Sequence, residues 1–276
     1  MLKKYSIFDL WLRVLLFFSI CVVLIFSLQV FVIPLLRTLF NEGNPLPTTI
    51  EINIQRAVNG IVGVGLVYAF LNFDRQSMKV SGFQWIDSNA KKWILYSIPI
   101  TLAGLIPTVI IELIFGIVTF LGILDIIGIV LTLGVTIFAI GLGEEILFRG
   151  YLQRILETRY SFEISAVVSA FLFGLLHFLL VSPSGLLYMV AILFSAFVIG
   201  LTFSYTFKKT NYNLIFPVAI HGFWDFFLFI FHAEFVYNTW LQVVMEISAS
   251  TVGALVIFLL VKYYTENFQK LPTETQ

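Results

Sequence analysis

Eight runs of roughly twenty predominantly apolar residues organise this chain, the length an α-helix needs to cross about 30 Å of hydrocarbon. They fall near 14–36, 57–73, 93–118, 123–143, 164–181, 186–207, 213–231 and 240–261. None alternates apolar with polar residues as the strands of a membrane barrel would, so helices are the expectation throughout. Composition agrees: 59% of residues are hydrophobic and 12% charged, about half the charge a soluble domain of this size needs to cover itself. The predicted fold is all-α, a polytopic transmembrane bundle of about eight spans. It is read as a single membrane-embedded domain over 1–276, with its motif-bearing core at about 123–231.

Orientation follows from the connections. With the N-terminus inside, fourteen of the sixteen Lys and Arg fall on the inner side, leaving only Arg37 and Arg56 outside. That bias predicts an even number of spans and both termini in the cytoplasm. Lys3 and Lys4 precede an apolar run too long for a signal-peptide core, so the first span is read as retained. Trp11, Trp93 and Trp240 sit at predicted span ends, where indoles favour the interface. The second span carries Gly60, Gly63 and Gly65, which suit close helix packing. Cys21, alone of its kind, reads as a small apolar core residue. The zero formal net charge argues against a nucleic-acid partner.

Ionisable residues at membrane depth are costly and persist when paired or useful. At the inner end of the fourth run, Glu144 and Glu145 precede Arg149. Glu145 and Arg149, four apart, share a helical face in the order that favours an ion pair. Glu144, rotated about 100° from its neighbour, is free to face a cavity. His177 stands in an apolar helix below Phe173. His221 and Asp225 lie four apart on an aromatic one. Each group has a bland reading: a solvated helix end, a histidine satisfied by a carbonyl, a His–Asp staple. Taken together they put a paired carboxylate and two imidazoles on three helices, and bundle cores build sites from facing helices in this manner. A carboxylate with a neutral imidazole takes a proton from water, and a second imidazole held by its i+4 carboxylate can donate to an oxyanion. The chemistry that set suggests is acyl hydrolysis in a low-dielectric cavity.

Glu144-Glu145-x-x-x-Arg149, Phe173-x-x-x-His177 and His221-x-x-x-Asp225 resemble, in order and spacing, the motifs of the CAAX protease and bacteriocin-processing family. This family includes the prenyl-protein endopeptidase that removes the last three residues of CAAX proteins. The resemblance implies an intramembrane, metal-independent glutamic protease with no cofactor and no metal ligand. Glu144 and His177 would activate the water, and His221 and Asp225 would form the oxyanion site. Glu145 and Arg149 would support Glu144, with Phe173 in a supporting place. Asp225 stands where the prenyl-protein endopeptidases carry Asn. A carboxylate cannot donate to an oxyanion, so Asp225 is expected to orient His221. Asp occurs in the wider, bacterial-type family, whose members act in bacteriocin maturation or immunity and in peptide signalling. The expected setting is therefore a multi-pass protein of a prokaryotic plasma membrane. Its partners would be membrane lipid and a peptide or protein substrate, lipid-modified ones included.

Three rival readings stand beside the protease. A solute or proton carrier could use the same buried ionisable chain, although neither internal repeats nor paired broken helices are visible. A zinc enzyme could be built from His177, His221 and Asp225 or Glu144, without any local His-Glu-x-x-His signature. A scaffold or immunity factor could retain the residues without catalysis. At 1.5 Å per residue the three motifs also fall at unequal depths, so a common site requires tilted helices or a fourth helix that runs on past its apolar stretch.

Overall fold

The computed structural model describes residues 4–32, 34–35, 38, 48–83, 90–180, 185–236 and 239–268. Arg37, Lys3 and Lys270, which entered the charge count, lie outside these residues. Eight principal helices are present among those described. They are α1 (Ile7–Ser27), α2 (Thr48–Phe73), α3 (Ala90–Ile114), α4 (Ile126–Leu156), α5 (Phe162–Leu180), α6 (Leu186–Lys209), α7 (Ile215–Ile230) and α8 (Trp240–Phe268). Seven of them are long and apolar enough to cross a membrane. The exception is α7, whose 16 residues reach about 24 Å at 1.5 Å per residue.

Extended chain follows it. Directly after α7, β2 (Phe231–Phe235) pairs antiparallel with β1 (Val118–Ile123), which joins α3 to α4. The apolar runs at 93–118 and 123–143 are therefore separated by a strand, where the hydropathy pattern placed helix ends. Gly116, with φ of 65°, takes the left-handed conformation that closes α3 at Ile114. His232 pairs through its backbone with Gly122. The last helix, α8, continues past its apolar run through Thr265 to Phe268.

The depth mismatch is resolved in α4. This helix is continuous from Ile126 to Leu156, about a dozen residues beyond the predicted span end. Two wider π-helical stretches interrupt it, Thr136–Gly141 and Ile146–Gln153, with the single α-turn Leu142–Glu145 between them. Local π geometry shifts which side chains face which neighbour and recurs at functional sites. Here it brackets the glutamate pair.

Two apolar clusters hold the bundle. One joins α1, α2, α4 and α5 around Phe17, Leu71, Tyr151, Phe148 and Phe173. The other joins α3, α6, α7 and α8 around Trp93, Phe203, Phe216, Trp224 and Ile257. Trp93 is stacked on Phe216 at 4.9 Å and is 7% exposed, so it is a core residue and not the interface anchor its position suggested. Cys21 is buried as expected. Outward-facing Phe8, Leu15, Val23, Ile126, Val130, Phe138 and Leu255 form the apolar exterior expected against lipid.

Glycines set the closest helix contact. A Cβ on Gly143 would stand 2.6 Å from the Cα of Gly60, so α2 and α4 touch backbone to backbone beside the glutamates. Gly65, grouped with Gly60 by sequence, has nothing within 4 Å of its Cβ direction. Gly143→Ala is accordingly expected to lower stability by about 1–3 kcal/mol through overpacking against backbone that cannot turn aside. Gly65→Ala should leave stability unchanged or slightly raised. Thermal unfolding of both variants in the same detergent checks the contrast, and equal midpoints would refute the close contact.

Candidate active site

Glu144, Glu145, Arg149, Phe173, His177, His221 and Asp225 converge between the two apolar clusters, on α4, α5 and α7. The innermost element is an ion pair. Arg149 Nη1 donates to Glu145 Oε1 at 2.9 Å, with both side chains fully buried. The same guanidinium donates through Nη2 to the Gly200 carbonyl of α6 at 2.8 Å. It lies 4.6 Å from the Phe173 ring centre and 5.3 Å from that of Phe203. Phe173 is thus a wall of the arginine's slot, and Gly200 is the residue that leaves room for the guanidinium: a Cβ there would be 3.1 Å from Nη2.

Glu145 Oε1 accepts a second bond, from His221 Nδ1 at 2.8 Å. The His221 ring stacks on Phe203 at 4.8 Å and meets the edge of Phe173 at 5.9 Å. Orientation of His221 therefore comes from Glu145 across helices. The i+4 partner Asp225 stands 3.8 Å from Nε2, beyond hydrogen-bond length. This corrects the expectation on two counts. Asp225 does not fix the ring, and the Glu145–Arg149 pair braces His221 more directly than Glu144.

Glu144 turns the other way, as the 100° rotation predicts. Its Oε2 is 3.8 Å from His177 Nε2 and 3.8 Å from His221 Nε2, and it has no hydrogen-bond partner among the described residues. His177 Nδ1 donates to the Phe173 carbonyl at 2.9 Å, one turn back. A carbonyl only accepts, so in the neutral ring Nε2 is an acceptor facing Glu144. Applied to His221, whose Nδ1–H goes to a carboxylate, the same inventory makes Nε2 a donor only when the ring carries both protons.

Glu144, His177, His221 and Asp225 border one cavity of about 440 Å³, which also reaches Arg56, Glu112, Glu246, Trp224 and Phe229. Three of these were missed by sequence reasoning. Arg56, counted as an outer charge, lies within α2 with its guanidinium 3.6 Å over the Phe229 ring. Glu112 and Glu246 are single acids inside apolar helices, and the criterion of charge at membrane depth would have found them. Among the described residues no three His, Cys, Asp or Glu side chains form a group that could hold a metal ion.

Residues 125–227, which include every one of the convergent side chains, match the sequence model of the family described as Type II CAAX prenyl endopeptidase Rce1-like. This segment is similar to an Rce1-like domain. That family is one of peptidases, and the segment that resembles it lies within a polytopic helical bundle. No curated protein matches the chain. In the matched segment α4, α5 and α7 supply the polar groups, while α6 supplies the Gly200 carbonyl and the Phe203 wall. Helices α1, α2, α3 and α8 lie outside the matched segment, and α2, α3 and α8 close the cavity from the other sides.

Proposed function

We propose that this protein is an intramembrane endopeptidase that hydrolyses a peptide bond with a water activated by Glu144 and His177. The observation that carries the reading is the position of Glu144. Its unbonded carboxylate oxygen is equidistant from two imidazole Nε2 atoms at the wall of a cavity. A water within hydrogen-bonding distance of both Glu144 Oε2 and His177 Nε2 would direct its two O–H bonds at them and its lone pair at the cavity. As that lone pair forms the bond to the scissile carbonyl carbon, one proton passes to Glu144.

The carbonyl oxygen gains the negative charge, and His221 Nε2–H is the donor placed to receive it. Donation requires the imidazolium, which Glu145, Glu144 and Asp225 stabilise at 2.8, 3.8 and 3.8 Å. Collapse of the tetrahedral intermediate breaks the C–N bond, and the leaving amine takes the proton held by Glu144. No step in this sequence calls for a metal ion. The Lys and Arg bias supports an orientation with both termini and the α4 extension in the cytoplasm. Lipid-modified peptides delivered from the bilayer are the substrate class the family description favours.

The reading is tested by purified protein in lipid nanodiscs, offered membrane-proximal peptides with and without a prenylated cysteine. Wild type is expected to cleave with a rate unchanged by a strong chelator. Cleavage abolished by chelator and restored by zinc would overturn the water-activation scheme. Failure to cleave any peptide, prenylated or plain, would count for a non-catalytic membrane role.

A further inference from the structure

The wall that α2 gives to the cavity carries a cation without an acceptor, outside everything the proposed hydrolysis uses. Arg56 is half-buried and borders the cavity with Asn59, three residues on and so its neighbour on the helix surface. Its guanidinium carbon stands 3.6 Å over the centre of the Phe229 ring. The described residues give it no hydrogen bond or ion pair, and each of its nitrogens keeps accessible surface, unlike the buried Nε of Arg149 and Arg154. A ring contact covers a face of the guanidinium, whereas its five N–H donors point outward in the plane. Phe229 therefore holds the fork without using its donors. Along α2, Arg56 precedes Gly60 by one turn, about 6 Å. Gly60 is where the helix touches Gly143, the residue before Glu144.

A charge at membrane depth is costly and persists when paired or useful. Pairing within the chain is not what keeps this one. The charge of Asp225 acts on Arg56, but the two form no ion pair, and the charged neighbour of Asp225 is His221 Nε2 at 3.8 Å. Glu112, Glu144, Asp225 and Glu246 bring four carboxyl groups to the cavity, and Arg56 is the only Lys or Arg among its described lining residues. A carboxylate carried in on a peptide is repelled by ionised acids on the other walls. At the α2 wall it meets a planar fork that can take both of its oxygens, with the Asn59 amide beside it.

We propose that Arg56, seated on Phe229, is a subsite for a carboxylate of the peptide substrate lying within a few residues of the scissile bond. That carboxylate is a free C-terminus or an Asp or Glu side chain, one chemistry from two sources. Calling the peptide a substrate rests on the peptidase reading, whereas binding of its carboxylate does not depend on cleavage. Arg56 and Asn59 lie on α2, outside the matched residues 125–227, so the preference belongs to a helix that the family match does not reach.

The test uses the full chain with Glu144→Gln, so that no peptide is consumed, in nanodiscs of zwitterionic lipid, so that the bilayer does not sort peptides by charge. Decapeptides of alanine and leucine, labelled at the N-terminus with an uncharged dye, end in a free carboxylate or an amide. A second, amidated series carries one Asp at each place in turn, matched by Asn. Anisotropy should give about tenfold tighter binding for a carboxylate-bearing peptide than for its neutral match. A gain from the free end assigns the C-terminus; a gain from Asp at one place assigns a side chain. Adding Arg56→Gln should abolish the gain while neutral peptides bind as before, and Arg56→Lys should keep part of it. Phe229→Leu, which removes the stack and leaves the charge, should reduce it part-way and keeps the test open should Arg56→Gln not fold. Equal binding of charged and neutral peptides throughout would overturn the subsite, as would a gain that survives Arg56→Gln. So would an equal loss for both kinds of peptide in Arg56→Gln, which would make the arginine a structural counterion. Peptides bound through Arg56 that the wild type never cleaves would refute the peptidase reading and leave the carboxylate site standing.

Discussion

Replacing Glu144 by Gln is expected to lower kcat by about 10³-fold, within the range a positioned general base contributes, while leaving the fold intact. The two halves of that expectation have separate grounds. Activity should fall because the amide keeps the shape of the side chain but cannot take the water's proton, and no second carboxylate replaces it. Glu145 is committed to Arg149 and His221, and Asp225 lies 3.8 Å from His221 Nε2. Stability should hold because Glu144 makes no hydrogen bond among the described residues, and its side chain is 26% exposed to the cavity. Substrate binding should change little, so the loss appears in kcat with KM nearly constant. Turnover of a fluorogenic peptide in nanodiscs, measured beside the unfolding midpoint, reads both. Residual activity within tenfold of wild type would move the base to another residue.

How far this site could be read without coordinates depends on the type of link. Contacts along one helix were legible. The Glu145–Arg149 pair and the opposite facing of Glu144 follow from 3.6-residue periodicity, and both are present. Contacts between helices were not, which is why the carboxylate that holds His221 was misassigned. Sequence spacing favours Asp225, on the same face four residues on, but the imidazole turns its Nδ1 to Glu145, 76 positions away. The strands were hidden for a different reason. Val118–Ile123 is as apolar as the helices it joins, and hydropathy measures burial in lipid, not backbone conformation. The π stretches of α4 left no signal at all, and they extend the helix that brings three motifs at unequal depths to one cavity.

Arg149 should be the residue whose loss the fold tolerates least. Arg149→Met is expected to cost about 3–5 kcal/mol, the range found when one partner of a buried ion pair is removed. The size of the effect comes from what remains. Glu145 would stay fully buried with only His221 Nδ1 against it, and the Gly200 carbonyl would lose its donor. Arg149→Lys keeps the charge but not the fork, and a single ammonium cannot reach Glu145 and Gly200 at once with the same geometry. Its cost should be smaller than that of Met. Adding Glu145→Gln to Arg149→Met removes the stranded charge, so the double variant should be more stable than Arg149→Met alone. That non-additivity is the signature of a coupled pair. Denaturant unfolding of the three variants and wild type in mixed micelles gives the cycle. Additive costs would mean that Glu145 and Arg149 act separately, and the brace on His221 would then rest on Glu145 and the Phe203 stack alone. Activity supplies the second readout. If the pair acts by orienting His221, Arg149→Lys should lower kcat more than its modest loss of stability explains, because a displaced Glu145 releases the ring that faces the developing oxyanion.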